Sequence, residues 1–571
     1  MKSMSGSTLR KLLPVGALSL AALLAPQPAQ ACGGFFCSAT NPVNQSAERI
    51  IFAKNGDATV TAVIEIQYQG PSTSFSWLLP ISGVPTADDI GVASNIAFQR
   101  LQQANNPQYN LTVRVEGTCD QRMDNLSRQT PTAAGGPGAT LNGAEDSSHS
   151  GVTVEASGVV GAYEFKVISL DPALKSPADA AVNWLGDNGY DVPPGAPALF
   201  GPYLEDGLNL LALRLKKGAD TGSIRPIALT YPADKPMIPI KLTAVAANDD
   251  MGVMTWLLGD SRAVPQNYNS LELNEARINW FSASATYNQV VTEAADDAGG
   301  QGFVTEQAGP TSALSNVIWS TGEEQQWQSL QALAAGSSQA YMQAAQLYAQ
   351  FDGFWDVVAA HVTLPAGVTL DQLKQCPYCN QNLVADSGFV AALETDVVKP
   401  VKLVQDLIAA HPQITRLYTT MSAAEMTVDP LFTFNPDLGD VNNIHTAERV
   451  IECSAGYYQE EAPWRIELPQ GGIIRGGPSD VGNWPGSFDS QPPNLMITRQ
   501  GESGTGEVLE DNSAKIKTAV TNYSNGVKAP PKHISNGSGA FGCSLSSQPS
   551  SGSWALGLLG LSLLLGRRRR S

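Results

Sequence analysis

The segment from Thr59 to Gln69 admits one kind of secondary structure. Val60, Ala62, Ile64, Ile66 and Tyr68 alternate with Thr59, Thr61, Glu65, Gln67 and Gln69, and Val63 alone breaks the second set. A period of two sends the sets to opposite sides of an extended chain, which predicts a strand with one buried face. Asn55-Gly56-Asp57 and Gly70-Pro71-Ser72 supply turns on either side, and Phe75, Trp77 and Leu79 continue the alternation, so an antiparallel meander is expected.

The same reading extends along the chain. Ala87 to Asn105 is helical by composition, and Leu111, Val113 and Val115 begin a strand running towards Cys119. Residues 128–150 carry no periodicity and read as a flexible insertion. Strands are expected within Gly151 to Leu170, Leu208 to Leu215, Ile224 to Thr230, Ile238 to Ala246 and Met251 to Leu258, with a short helix from Pro177 to Leu185. Few βαβ alternations occur, so residues 32–310 predict a β-rich α+β domain with a largely antiparallel sheet. Beyond it, Trp327, Leu330, Leu333 and Ala334, then Tyr341, Ala344, Ala345 and Tyr348, fall at helical spacing, and Pro400 opens a further helix stopped by His411-Pro412. Residues 311–455 therefore read as a helical subdomain with a closing segment. Residues 456–542, rich in Gly, Pro, Asn and Ser, read as a flexible, loosely ordered stalk.

Both ends read as addresses. Lys2, Arg10 and Lys11 precede an apolar run from Leu12 to Ala25, and Ala29 and Ala31 stand where signal peptidase requires small residues. Residues 1–31 thus form a secretory signal, with Cys32 first in the mature chain. Ala29 occupies the place where a lipoprotein signal carries a larger aliphatic residue, which argues against N-terminal lipid. At the other end, Cys543 precedes an apolar run from Trp554 to Gly566 and then Arg567, Arg568, Arg569 and Arg570. Such a run rises about 20 Å as a helix against a hydrocarbon core of about 30 Å, so it suits transient inner-membrane insertion better than a permanent span. The arginines hold its end in the cytoplasm.

Seven cysteines in an exported chain leave an odd one. With Cys543 used in sorting, Cys32, Cys37, Cys119, Cys376, Cys379 and Cys453 remain as disulfide candidates in an oxidising compartment. Sequence leaves connectivity open; the simplest local pairs are Cys32 with Cys37 and Cys376 with Cys379, which leaves Cys119 with Cys453. The 35 basic and 53 acidic residues give a net charge of −18, and loss of both ends leaves 28 basic groups against the same 53. That balance excludes a nucleic-acid footprint. At 43% hydrophobic and 15% charged, the chain has the apolar content to build sizeable cores.

Catalytic motifs are sparse. Cys376-Pro-Tyr-Cys379 matches the active-site tetrapeptide of glutaredoxins, but it follows a helical turn in a region without a βαβ unit, which favours a structural disulfide. Asp437, Asp440, Asn442, Asn443 and His445 lack EF-hand spacing, and Asn248, Asp249 and Asp250 suit a turn, so no metal site is expected. His149, His361, His411, His445 and His533 stand beside no Gly-x-Ser-x-Gly or His-Glu-x-x-His motif. A hydrolase built on a hidden carboxylate pair would need a deep pocket holding two perturbed acids.

Two resemblances add to this reading. Ala31-Cys-Gly-Gly-Phe-Phe-Cys37 with Pro42 to Ile50, Ile66 to Gly70, Phe75 to Pro80, Ala247 to Met251, Arg262 to Tyr268 and Arg416 to Ser422 leading to Asp429-Pro430 are similar to the bacterial family called domain of unknown function 2330. That resemblance spans roughly residues 32–455 and implies architecture and compartment but no catalytic residues. Residues 543–571 resemble the myxobacterial MYXO-CTERM sorting signal, which implies cleavage near Cys543 by a C-terminal sorting protease and attachment to the cell envelope. The expectation is an exported protein anchored at the outer cell surface, without cofactor, serving adhesion, envelope structure or capture of an unknown ligand rather than catalysis. The alternative is an envelope thiol-disulfide oxidoreductase using Cys376 and Cys379.

Overall fold

The computed structural model describes residues 35–36, 44–69, 76–120, 152–171, 173–190, 192, 196–215, 224–245, 247–333, 337–379 and 383–533 of the 571. Their architecture is α+β with mostly antiparallel sheets. The largest sheet runs in the order Glu507–Asp511, Asn494–Arg499, Asn269–Leu273, Gly302–Pro310, Gln413–Met421, Ala247–Gly259, Asn44–Lys54, Thr59–Gln69, Ile227–Pro232 and Ile90–Val92. Two of its neighbour pairs are parallel, Ala247–Gly259 with Asn44–Lys54 and Asn269–Leu273 with Gly302–Pro310.

Alternation along the central strands builds two cores. Ile51, Val63, Trp256 and Leu258 face a helical layer that contributes Phe98, Trp327, Tyr341, Phe354 and Val404. Ile50, Phe52, Ala62, Ile64 and Leu257 face a second sheet that contributes Trp77, Leu79, Phe165 and Leu211. Over residues 60–65 the strand is therefore covered on both faces, where the sequence predicts one. Its polar face survives burial by pairing: Thr61 shares a 2.9 Å hydroxyl contact with Thr230, and Glu65 accepts from Arg49.

The second sheet runs Phe35–Phe36, Ser76–Ile81, Asn209–Leu215, Tyr163–Leu170 and Val152–Val160. Ser76–Ile81 thus pairs with Asn209–Leu215 and does not continue a meander from Thr59–Gln69. All six of its residues are buried, and a strand without a polar side needs cover on both. Trp77, Leu79 and Ile81 face the large sheet, while Leu78 packs under the helices Pro177–Asp187 and Ala196–Glu205. Ala87 to Asn105 divides into a 3-10 turn, the strand Ile90–Val92 and the helix Asn95–Asn105. Ile238 to Ala246 holds a helical turn, Ile240–Thr243, where a strand is expected; Pro239 caps it and has no N–H for a ladder.

Between Thr311 and Ala410 the elements of the described residues are helices joined by loops, with one isolated bridge between Val362 and Ala385, and Gln413–Met421 then returns to the large sheet. The helix with Pro400 begins earlier than the sequence predicts, since Phe389–Leu393 runs through a π-helical turn, Glu394–Val398, into Lys399–Ala410. A wider turn there accommodates the ring and missing N–H of Pro400.

Residues 456–533 differ most from expectation. They are folded: Trp464–Glu467 and Ile473–Gly476 join Ile444–Cys453 and Gln108–Gly117 in a four-stranded sheet, Asn494–Arg499 and Glu507–Asp511 extend the large sheet, and Ser513–Gly526 is a helix. Trp464, Ile466, Ile474, Phe488, Ile516 and Val520 form a core together with Ala276, Trp280 and Ala447 from earlier in the chain. The glycines that suggest a stalk serve packing and turns. A Cβ on Gly476 would sit 2.2 Å from the Trp464 ring, and Gly506 turns at φ +87° against the Arg499 carbonyl. Residues 534–542 of the expected stalk and the insertion near 128–150 lie outside the described residues, except for Gln108–Gly117 and Val152–Val160 that flank the latter.

Candidate functional site

A cavity of about 630 Å³ lies where the large sheet meets the four-stranded sheet. Its wall carries Glu272, Glu275, Glu306 and His445, together with Tyr109, Tyr287 and Arg262. Each is placed by local chain logic. Glu272 is the solvent-accessible residue of Asn269–Leu273, between buried Leu271 and Leu273. Glu275 opens a one-turn 3-10 helix whose cap is the fully buried Asn274, its side chain accepting from Ala276 N at 3.0 Å. Glu306 is the extra residue of a bulge in Gly302–Pro310, since Thr305 faces Leu417 and Gln307 faces Arg416 across the ladder. A bulge re-aims one side chain, and here it delivers a carboxylate to the cavity.

Behind that wall Glu306 pairs with Arg416 at 2.5 Å, their side chains 1% and 2% exposed. Tyr287 donates its hydroxyl to Glu306 Oε1 at 2.5 Å, and the Arg416 guanidinium lies 5.6 Å from the Trp256 ring centre. Burial pushes the Glu306 carboxyl above the ordinary glutamate range against the pull of Arg416. It also raises the Tyr287 and Tyr109 hydroxyls, with Glu306 and Glu275 adding to the effect.

His445 and Tyr109 are direct partners across the parallel pair Ile444–Cys453 and Gln108–Gly117, and their rings stack at 4.5 Å and 11°. His445 Nδ1 lies 2.6 Å from Glu275 Oε1. An ionised Glu275 accepts only, so Nδ1 carries the proton, and in the neutral imidazole Nε2 is left as an acceptor. Glu275 is 3% exposed, and its Oε2 has no hydrogen-bond partner among the described residues. A buried carboxylate oxygen left so costs about 1–3 kcal/mol. Burial, then the charges of Glu275 and Asp511, hold the Glu272 carboxyl above its ordinary range. The wall therefore presents several acceptors to whatever enters.

A second cavity of about 570 Å³ lies between the large sheet and the second sheet, walled by Ile50, Phe52, Ile64, Leu79 and Tyr231. It offers volume, but its Lys235 is engaged with Glu502 at 2.6 Å. The polar cavity combines volume with converging polar groups and is the candidate site.

The residues singled out from sequence are scattered. Cys119 is bridged to Cys453 across 334 positions, and Cys376 to Cys379. Cys376 caps the C-terminus of the helix Leu370–Gln375, where the carbonyl end of the helix dipole disfavours a thiolate, the reverse of a redox-active cysteine. Asp437 accepts from Gly504 N and Asn443 donates to the Asn106 carbonyl, both contacts with distant segments, while Asn442 accepts from Ile444 N in a local turn, so these three are engaged within the fold. His445 alone among them reaches the cavity. Asp250 sits at φ +53° beside Ser422. Among the described residues no group of three or more His, Cys, Asp or Glu is arranged to hold a metal ion, and no helix is long and apolar enough to cross a membrane. Ala29, Ala31, Cys32, Cys37, His149, Cys543 and Arg567 to Arg570 lie outside the described residues.

Sequence reasoning missed Glu272, Glu275, Glu306, Tyr109 and Tyr287. The one available signal was indirect: Arg262 and Arg416 each open a segment similar to the family named above, and one lines the cavity while the other braces it.

No curated protein and no solved structure matches the chain. A family model described as "Uncharacterized protein conserved in bacteria (DUF2330)" matches residues 26–340, more than half of the 571. That span includes Tyr109, Arg262, Glu272, Glu275, Tyr287 and Glu306 and ends before Arg416 and His445, and the protein belongs to that bacterial family.

Proposed function

We propose that the protein is exported, held at the outer cell surface through its C-terminal region, and captures a small polar ligand in the cavity between its sheets without transforming it. The N-terminal signal pattern, the Cys543, apolar and Arg567 to Arg570 sequence, and the Cys119–Cys453 bridge support the location. The observation that carries ligand capture is Glu275, buried in the cavity wall with one oxygen unpartnered. Of the two acids of the wall held above their ordinary range, Glu306 is closed behind it by Arg416 and Tyr287, which leaves Glu272 without a second free carboxyl of that kind and favours binding over turnover.

Mass spectrometry of protein recovered from cells tests this reading. Denaturing spectra are expected to show a chain beginning at Cys32 and ending near Cys543, and native spectra a retained solute that Glu275→Gln releases. An intact 571-residue chain in the cytosol would overturn the location. A native spectrum without adduct at any solute supplied would overturn capture.

A further inference from the structure

We infer that the cavity at the sheet junction receives a primary ammonium group, held by Glu272, Glu275 Oε2 and His445 Nε2. This rests on the ligand-capture reading above and names its ligand class.

The argument is a count of hydrogen-bonding capacity. Glu275 Oε2 is buried and unpartnered, and a carboxylate oxygen can only accept. His445 gives its Nδ1–H to Glu275 Oε1, and as a neutral imidazole it keeps Nε2 as an acceptor for other partners. Among the described residues the Glu272 side chain has no hydrogen-bond or ion-pair partner, and it lines the same wall three residues from Glu275. The three acceptors come from a strand, the 3-10 turn after it and a strand of the other sheet, and all three residues line the one cavity. A primary ammonium carries three N–H donors and a positive charge, which matches that number and sign.

Other ligand chemistries fit less well. A quaternary ammonium has no N–H to give. A guanidinium is a planar fork that Glu272 could meet with both oxygens, but Glu275 has one oxygen held by His445 and could accept from it only singly. An anion would meet three glutamates against the single lining guanidinium of Arg262, which already donates to the Gly439 carbonyl and to Thr305. A neutral polyol satisfies acceptors but leaves the carboxylate charge uncompensated.

Calorimetric titration of the mature protein with ethanolamine, choline, ethylene glycol and guanidinium distinguishes these cases. Ethanolamine is expected to bind at least about tenfold more tightly than each of the others, the loss of one charge-assisted hydrogen bond being worth about that factor. Glu272→Gln and Glu275→Gln are each expected to weaken ethanolamine about tenfold or more. Glu272→Gln removes a carboxylate that burial, Glu275 and Asp511 penalise, so its melting temperature is expected to hold or rise while ethanolamine binding weakens, which separates loss of binding from loss of fold. Choline or guanidinium binding as tightly as ethanolamine, or ethanolamine binding unchanged in Glu272→Gln, overturns the assignment. Ethylene glycol bound without ethanolamine removes the ammonium and leaves ligand capture standing; a native spectrum without any adduct removes capture itself.

Discussion

Replacing Arg416 by Met is expected to destabilise the protein in a pH-dependent way, and the structure sets the size of the effect. Arg416 and Glu306 are both buried, and Met preserves much of the apolar bulk against Trp256 while deleting the charge. Glu306 is then left ionised in an apolar wall with Tyr287 as its one donor. Breaking such a pair costs about 3–5 kcal/mol. The carboxyl has an escape, which is to take up a proton. Relative to an unfolded glutamate titrating near 4.3, that costs about 1.4 kcal/mol per pH unit, or about 3.7 kcal/mol at pH 7 and about 1 kcal/mol at pH 5. The sign follows from burial raising the folded-state value: the penalty is full at high pH and relieved as pH falls towards the unfolded value. Urea unfolding followed by fluorescence at pH 7 and pH 5 measures it, with Glu306→Gln/Arg416→Met as the partner experiment. The double variant is expected to regain most of the loss at pH 7 and to lose the pH dependence. An Arg416→Met penalty that is the same at both pH values, or a double variant no more stable than the single one, refutes the account of a charge stranded in the wall.

Three further outcomes are expected. Removing the Cys119–Cys453 bridge, which closes 334 residues, has a loop-entropy cost near about 6 kcal/mol, of which about 2–5 is typically realised, whereas removing the Cys376–Cys379 bridge costs about 2 at most; urea midpoints of the two paired Cys→Ser variants give the comparison. Burial, then the neighbouring Glu425 carboxylate, pushes Asp296 up to about 6, so the ionised native state is penalised above that value and stability rises as pH falls through 6 towards 4. Carboxyl NMR should show that titration in the native protein and its downward shift in Glu425→Gln. Insulin reduction by the reduced protein should show no turnover, since Cys376 lies at a helix C-terminus; appreciable turnover lost in Cys376→Ser would contradict that placement.

Strands were legible in the sequence wherever alternation was strong, and their partners were not. The alternation of Val60, Ala62, Ile64 and Ile66 marks a strand because each residue reports its own burial. It says nothing of whether the other face is covered, which depends on Phe98 and the helices beyond Thr311 packing over Ile51 and Val63. Ser76–Ile81 was similarly clear as a strand and wrongly paired, because adjacency in sequence suggested a hairpin where two-sided burial required a separate sheet. Residues 456–533 were missed for another reason. Their core rests on a few aromatics separated by glycine turns, Trp464, Phe488 and the helix residues Ile516 and Val520, so no local window is apolar enough to announce it.

The candidate site was hidden by the physics that builds it. A carboxylate on a sequence strip reads as solvated, and Glu272 at its outward strand position is indistinguishable from any surface glutamate. Glu306 becomes buried only because a bulge rotates it inward and Arg416, 110 residues later, arrives on the neighbouring strand. Glu275 becomes a buried acceptor only because Asn274 caps a turn and His445 approaches from the other sheet. Charge in a protein interior needs compensation, and here each compensating group is supplied by a distant element. The same long reach explains why the cavity sits at a junction of sheets: neither sheet alone holds both the acids and the imidazole that orients one of them, so the ligand-accepting geometry exists only once the chain beyond residue 413 has closed against the chain before it.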